Sequence, residues 1–147
     1  MNSTAVKGRQ FVDTNVLVYA HDASAGAKRT AARLLLERLW ISGDACASIQ
    51  VLQEFYVSVT RTVPRRLDAR EASQAVRDLS AWTLFVPQTD DVLAAIELHQ
   101  RVGISFWDAM IVRSAAELDC AVIWSEDLNA NQVYEGVPVM NPFARMS

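Results

Sequence analysis

The sequence predicts an α/β fold in which helices cover a parallel sheet. Short, nearly continuous apolar runs of strand length alternate with longer segments whose apolar residues recur at helical spacing. Such alternation is typical of parallel sheets, because a helix carries the chain back between strands. The chain has 147 residues, 51% of them hydrophobic, and no repeat or linker divides it. One domain over residues 1–147 is therefore expected.

The first strand is predicted at residues 10–14, where an apolar run ends in Asp-Thr-Asn, and the first helix follows at residues 16–20. A second helix is predicted at residues 27–41, because the apolar residues there recur as expected of one buried face. That face consists of Ala32, Leu35, Leu36 and Leu39.

Residues 45–47 are small and apolar, which favours a central strand, and Ser48 is a suitable N-cap for a third helix over residues 49–62. Pro64 then ends that helix, because proline lacks the backbone N–H that a helix interior requires.

A fourth helix is predicted to start at Asp68, which has capping-box spacing to Glu71, and to end near residue 81. The apolar residues 84–86 then form a strand that Pro87 terminates. The helix and the strand extend the alternation into the second half of the chain.

A fifth helix is predicted at residues 89–102, with Gly103 as its terminator, and a sixth at residues 105–118. Residues 120–124 and 137–140 are predicted as strands, and the polar residues between them as a loop. The fifth helix is expected to bury the face formed by Val92, Ala95, Ile96, His99 and Val102. Other predicted core residues are the tryptophans and two reduced cysteines: Trp40, Trp82, Trp107, Trp124, Cys46 and Cys120.

Composition limits the classes of function. The formal net charge of −3 is unusual for a protein that binds nucleic acid through charge alone, but 12 of the 14 basic residues are arginines. Arg61, Arg65 and Arg66 are predicted to form a local basic rim. No stretch has the length of a membrane-spanning helix and the start lacks an apolar secretion signal, so a cytoplasmic protein without membrane contact is expected.

The most informative feature is a set of four carboxylates near the ends of different predicted elements. They are Asp13, Glu54, Asp108 and Asp127, each among apolar neighbours. Gathering them would add repulsion of roughly 4 kcal/mol per close pair at an effective dielectric near 20. A hard divalent cation would relieve that cost, and oxygen ligands favour Mg²⁺ or Mn²⁺.

Each acid also has a simpler explanation. Asp13 and Asp108 stand where helix-capping residues do, and Glu54 lies on a polar stripe typical of a solvated helix face. Asp127 is in a segment where turn residues are common, and Glu126 beside it is an alternative ligand. The individual positions leave these alternatives open.

Considered together, four segments resemble the PIN-domain ribonucleases, and within them the VapC-type toxins of toxin–antitoxin pairs. The segments are Phe11-Val12-Asp13-Thr14-Asn15-Val16-Leu17, Leu52-Gln53-Glu54-Phe55-Tyr56, Ser105-Phe106-Trp107-Asp108-Ala109 and Ser125-Glu126-Asp127-Leu128-Asn129. Their order and spacing match over essentially the whole chain, as far as Asn141-Pro142-Phe143. One departure is Asn131, where relatives often have glycine; asparagine also tolerates positive φ.

The resemblance implies a Rossmann-like three-layer α/β/α sandwich with a central, mainly parallel sheet. It further implies that Asp13, Glu54, Asp108 and Asp127 converge on Mg²⁺ to cleave RNA by a metal-activated water, with a role for the Thr14 hydroxyl. A cognate antitoxin and a second copy of the chain in a homodimer are the implied partners. Two alternatives remain: a receiver-like phosphoacceptor domain, and a non-catalytic α/β binding module whose acids serve only as caps.

Overall fold

The structure, a computed structural model, describes residues 5–129 and 131–144. The elements are, in chain order, β1 (Gln10–Val12), α1 (Thr14–His21), α2 (Ala27–Ser42), β2 (Ala45–Ser48), α3 (Ile49–Val57), α4 (Ala69–Leu79), β3 (Thr83–Phe85), α5 (Thr89–Val102), α6 (Phe106–Glu117), β4 (Val122–Trp124), β5 (Val133–Tyr134) and β6 (Val137–Met140). This is the α/β architecture that the alternation of apolar runs predicts.

The sheet has the strand order β3-β2-β1-β4-β6-β5. All pairings are parallel except that of β5 with β6. The prediction of a plain loop between the last two strands is wrong, because β5 lies within it. A two-residue strand gives little periodicity to recognise, and positive φ at Glu135 (51°) and Gly136 (81°) lets the chain fold back as a hairpin.

Three predicted helix boundaries are confirmed. The Ser48 hydroxyl accepts a hydrogen bond from the N–H of Val51 at 3.2 Å. Asp68 and Glu71 form the reciprocal capping box. Gly103 ends α5 with φ +81°, in the left-handed region that side chains disfavour. Short local signals fix these ends because each satisfies backbone groups that the helix itself leaves unpaired.

The third helix differs from its prediction, because α3 stops at Val57 and a π-helical turn over Ser58–Thr62 follows. In this turn the N–H of Val63 donates to the carbonyl of Ser58. The Thr60 hydroxyl donates to the Tyr56 carbonyl at 2.7 Å and competes for the helix hydrogen bonds. Such turns widen a helix and often lie at functional sites.

The core lies on both faces of the sheet. Its largest fully buried side chains include Phe11, Phe55 and Ile123. Both cysteines are buried and free, as predicted. Trp82 and Trp124 are buried, as predicted. Trp40 and Trp107 contradict the prediction, because 56% and 61% of their surfaces are exposed.

The buried face of α5 agrees with the prediction at Ala95 but not at the other apolar residues. Asp91, Ala95 and Leu98 are buried, while Val92, Ile96 and Val102 are 37–40% exposed. Asp91 accepts a hydrogen bond from Arg113 of α6 at 2.8 Å, so a carboxylate with a cationic partner occupies part of the buried face. A count of apolar residues misses a carboxylate that is buried with a partner.

Within residues 5–129 and 131–144, no helix is both long and apolar enough to span a bilayer.

Candidate active site

The carboxyl ends of β1 and β4 bring two of the predicted acids to the same edge of the sheet. Val12 and Trp124 are in register, and the N–H of Asp13 donates to the Trp124 carbonyl at 3.0 Å. Asp127 follows β4 after two residues. Open parallel sheets bind ligands at this edge.

Asp13 is buried, with 6% of its surface exposed. Its carboxylate accepts hydrogen bonds from the Thr14 N–H and the Ser125 hydroxyl, both at 2.8 Å, and from the Asn15 amide at 3.3 Å. The bond to Thr14 caps α1, so the capping explanation describes part of what Asp13 does. It leaves unexplained why so many donors converge on one acid.

Glu54 and Asp108 approach from two helices. Glu54 is half-buried on α3, where it accepts from the Thr14 hydroxyl at 2.9 Å and from the Gln50 amide at 3.3 Å. Asp108 is half-buried in the first turn of α6, whose N-cap Ser105 accepts from the Asp108 N–H at 3.0 Å. Glu54 is thus tied to the β1 end and is not simply a solvated residue.

Electrostatics show that the acids interact. Burial raises the pKa of Asp13 from 3.8 to about 6; the charges of Asp108 and Glu54 contribute to this rise, and the hydrogen bonds from Ser125 and Thr14 partly offset it. Burial likewise raises the pKa of Asp108, with additional repulsion from Asp127 and Glu54. Each predicted acid therefore belongs to one electrostatically coupled group, the carboxylate cluster (Asp13, Glu54, Asp108 and Asp127).

Two polar residues that the sequence prediction did not assign connect this cluster. The Asn15 amide donates to Asp13, to the Ser125 hydroxyl and to Asp127, the last two at 3.2 Å. Ser125 also accepts from the N–H of Asp127 at 3.1 Å. Both residues lie inside the motifs Asp-Thr-Asn and Ser-Glu-Asp. Their position two residues from an acid is the sequence feature that could have identified them.

Glu126, the alternative to Asp127, has other partners. It accepts from the Tyr19 hydroxyl at 2.7 Å and forms an ion pair with Lys28. These donors outweigh burial and hold the pKa of Glu126 below its usual value. Its backbone N–H donates to the Asn15 side chain at 3.0 Å, which fixes the loop while the carboxylate points to Lys28. Asp127, not Glu126, joins the cluster.

The donor set fits a hard divalent cation, because it consists of carboxylate oxygens with repulsion that positive charge would relieve. In the part of the chain that the structure describes, no three His, Cys, Asp or Glu side chains are close enough to hold one ion together. Mg²⁺ does not require this, since it keeps several waters and binds proteins through one or two carboxylates.

An open cavity of about 780 Å³ adjoins the cluster between α1, α3 and the π-helical turn. We call it the α1–α3 groove. Its lining includes Glu54 and Asp127 of the cluster. It also includes Val57, Ser58 and Pro64, from the end of α3 and the residues that follow it. The groove gives a large ligand direct access to the acids.

The PIN domain family model matches residues 11–136. The chain belongs to the PIN domain family. This match favours the PIN domain over the receiver-like alternative, and it covers all four motifs. The fold agrees with that of VapC toxins, a mostly parallel sheet with helices on both sides.

Solved structures with the same fold are toxins and toxin–antitoxin complexes. VapC20 of Mycobacterium tuberculosis, a toxin that cleaves the sarcin–ricin loop, is 21% identical with a TM-score of 0.62, over 80% of this chain and 89% of its own. A toxin–antitoxin complex from Klebsiella pneumoniae matches with 18% identity and a TM-score of 0.68, over 90% and 97%. VapBC2 from Rickettsia felis, bound to a promoter DNA fragment, matches with 19% identity and a TM-score of 0.58, over 90% and 97%. Among curated proteins, none matches.

Proposed function

We propose that this PIN domain is a Mg²⁺-dependent endoribonuclease and the toxin of a toxin–antitoxin pair. The observation that supports the proposal is the coupling of Asp13 with Asp108 and Glu54 at the carboxyl edge of the sheet. The fold shared with VapC toxins, one of them described as cleaving an RNA loop, supports RNA as the substrate. Mn²⁺ is the expected substitute metal.

Asp13 and Asp108 would hold the cation most directly, with Glu54 and Asp127 completing its surroundings. When bound, such an ion lowers the pKa of water and neutralises charge on the phosphate. The chain contributes orientation: Thr14 and Gln50 hold Glu54, which we assign to binding the ion or orienting the attacking water. Hydrolysis forms a bond from the water oxygen to phosphorus and breaks the bond to O3′, leaving a 5′-phosphate and a 3′-hydroxyl.

The test compares RNA cleavage by the wild-type chain, Asp13→Asn and Asp108→Asn with Mg²⁺ and with EDTA. Cleavage is expected only for the wild type with Mg²⁺, with products that carry 5′-phosphates. Asp68→Asn is the matched control, because Asp68 is also an N-cap but its side chain is exposed and distant in sequence from the four acids. Cleavage retained by Asp108→Asn, or cleavage insensitive to EDTA, contradicts the proposed metal-dependent mechanism. No cleavage by the wild type with Mg²⁺ contradicts the nuclease and leaves the non-catalytic binding module.

The toxin assignment also requires an antitoxin, and we further propose a homodimer. Exposed apolar side chains support such contacts: Tyr56 and Val57 beside a groove of about 510 Å³ between α3 and α4, and Leu93 and Ile96 on α5. Two of the similar structures are toxin–antitoxin complexes. Light scattering of the purified chain tests the dimer; a monomer at all concentrations contradicts it. Growth arrest on expression, relieved by an adjacent co-expressed gene, tests the toxin assignment.

A further inference from the structure

Trp107 presents its indole ring to solvent in the first turn of α6, next in sequence to Asp108 of the carboxylate cluster. The side chain is 61% exposed, although burying so large an apolar group is normally favourable. Phe106 packs against the core and holds the indole in an edge-to-face contact, with ring centroids 5.0 Å apart. Trp107 is thus a supported aromatic surface one residue from Asp108.

Helix α3 sets the order of the features around the cluster. The Gln50 amide donates to the Trp107 carbonyl and to Glu54. Glu54 lies one turn farther along, and Val57 and Ser58 line the α1–α3 groove after it. At 1.5 Å per residue, residues 50–58 span about 12 Å. The backbone of Trp107 therefore lies near the start of α3 and the far wall of the groove near its end, with Glu54 between them.

Positive charge is concentrated beyond the groove. Arg61, Arg65 and Arg66 are exposed, and none forms an ion pair with another described residue. Thr62 and Pro64 line the groove wall, so the backbones of Arg61 and Arg65 are each one residue from it. This is the basic rim that the sequence predicts, and it lies on the same side of the cluster as the groove.

We propose that α3 is the track for a single strand of RNA. An unpaired base on one side of the scissile phosphate stacks on Trp107, and on the other side the backbone follows the α1–α3 groove to the rim of Arg61, Arg65 and Arg66. The inference rests on the proposed ribonuclease function and adds the contacts that select an unpaired substrate.

Charge and shape favour this occupant. Proteins bind single strands by combining positive charge along the path of the backbone with exposed aromatic rings, because every base has a face that can stack. Among the described residues, the lining of the α1–α3 groove includes Asp22, Glu54, Glu126 and Asp127 but no lysine or arginine, so the positive charge on this path comes from the rim. A base inside a duplex cannot place its face on Trp107. With a net charge of −3, the chain needs its phosphate contacts concentrated in one place, and the three arginines supply them.

The first test measures the Kd of a short, labelled, single-stranded RNA of mixed sequence by fluorescence anisotropy. The Asp13→Asn background with Mg²⁺ is used so that the RNA stays intact. Trp107→Ala is expected to weaken binding about 5- to 100-fold, as stacking losses generally do, and Trp107→Phe to weaken it less. Trp40→Ala is the matched control, because Trp40 is also exposed but lies away from the acids. It lines a small cavity with residues at the amino ends of β2 and β3, whereas Asp13 and Asp127 follow the carboxyl ends of strands.

The second test measures the salt dependence of the same Kd. Single-stranded contacts contribute about −0.7 per phosphate to the slope of log K against log salt. Replacing Arg61, Arg65 and Arg66 with glutamine is expected to make the slope shallower by up to about 2. Arg38→Gln, which changes an exposed arginine lining a cavity with Gln10 and Asp44 at the opposite sheet edge, is expected to leave it unchanged.

These outcomes separate the inference from the function on which it rests. If the wild type cleaves RNA but Trp107→Ala and the triple arginine variant bind RNA with unchanged affinity, the proposed RNA path along α3 is wrong and the ribonuclease proposal stands. Equal affinity for a duplex of the same sequence also overturns that path. RNA binding that requires Trp107 in a chain that never cleaves supports the track and contradicts the nuclease. If both variants lose a protein partner but keep RNA affinity, the surface belongs to that partner and the inference is wrong.

Discussion

Replacing Asp13 with asparagine is expected to stabilise the metal-free protein, although it removes a residue that caps a helix. Burial raises the pKa of Asp13 from 3.8 to about 6. At about 1.4 kcal/mol per pH unit, this corresponds to about 3 kcal/mol by which the ionised carboxylate destabilises the fold at neutral pH. Asparagine is similar in shape and capping ability but carries no charge.

The sign follows from proton binding. Between pH 4 and pH 6 the folded wild type holds a proton on Asp13 that the unfolded chain has released, so its unfolding free energy falls as pH rises through this range. Asp13→Asn lacks this contribution. Urea unfolding in EDTA, followed by tryptophan fluorescence, is expected to show a gain for the variant of up to about 3 kcal/mol above pH 6 and little gain near pH 4.

Asp68→Asn is the control, because it makes the same chemical change at an exposed N-cap, where aspartate and asparagine are about equal. Its unfolding free energy is expected to stay within about 0.5 kcal/mol of the wild type. Saturating Mg²⁺ at about 100 times its Kd would stabilise the wild type by about 2.7 kcal/mol and Asp13→Asn by far less. A loss of stability in metal-free Asp13→Asn at pH 7 would refute the electrostatic reasoning and favour a purely capping role.

Three further predictions concern residues around the fold. Ser125→Ala removes the hydroxyl between Asp13 and Asp127, so calorimetry should find Mg²⁺ affinity reduced about 10- to 100-fold; an unchanged Kd contradicts this. Gly103→Ala forces a side chain into φ +81° and should cost about 1–2 kcal/mol in urea unfolding, whereas no loss would mean the turn relaxes. Arg113→Met leaves buried Asp91 without its cation and should cost about 3 kcal/mol in the free energy of unfolding. Arg77→Met, at an exposed position of α4, is the control, and equal losses in the two variants contradict the ion-pair account.

Much of the fold was predictable because local signals coincide with it. Apolar periodicity located α2, and the Ser48 cap, the Asp68 capping box and Gly103 located helix ends. The failures occur where long-range partners decide. The buried face of α5 includes Asp91 because Arg113 pairs with it, and β6 makes a strand of Val133–Tyr134. The extent of the domain over residues 1–147 stays a prediction.

The candidate site also has features that the sequence predicted and features that depend on long-range contacts. Motif order pointed to Asp13, Glu54, Asp108 and Asp127, and their roles remain proposals. Sequence could not choose between Asp127 and Glu126, because the choice depends on Lys28 and Tyr19, which are distant along the chain. It also placed Trp107 in the core, since an aromatic residue among apolar neighbours normally packs inward.

The sequence alone determined the order of the helices and of every strand except β5, several helix ends and the motifs that carry the candidate acids, because these depend on spacing and on bonds between near neighbours. Tertiary structure decided which side chains meet. It aligned the ends of β1 and β4, linked Asn15 to Ser125 and Asp127, and left Trp107 exposed beside the cluster. The reason is physical: hydrogen bonds, desolvation and charge repulsion act through distance in space, which a single sequence does not specify.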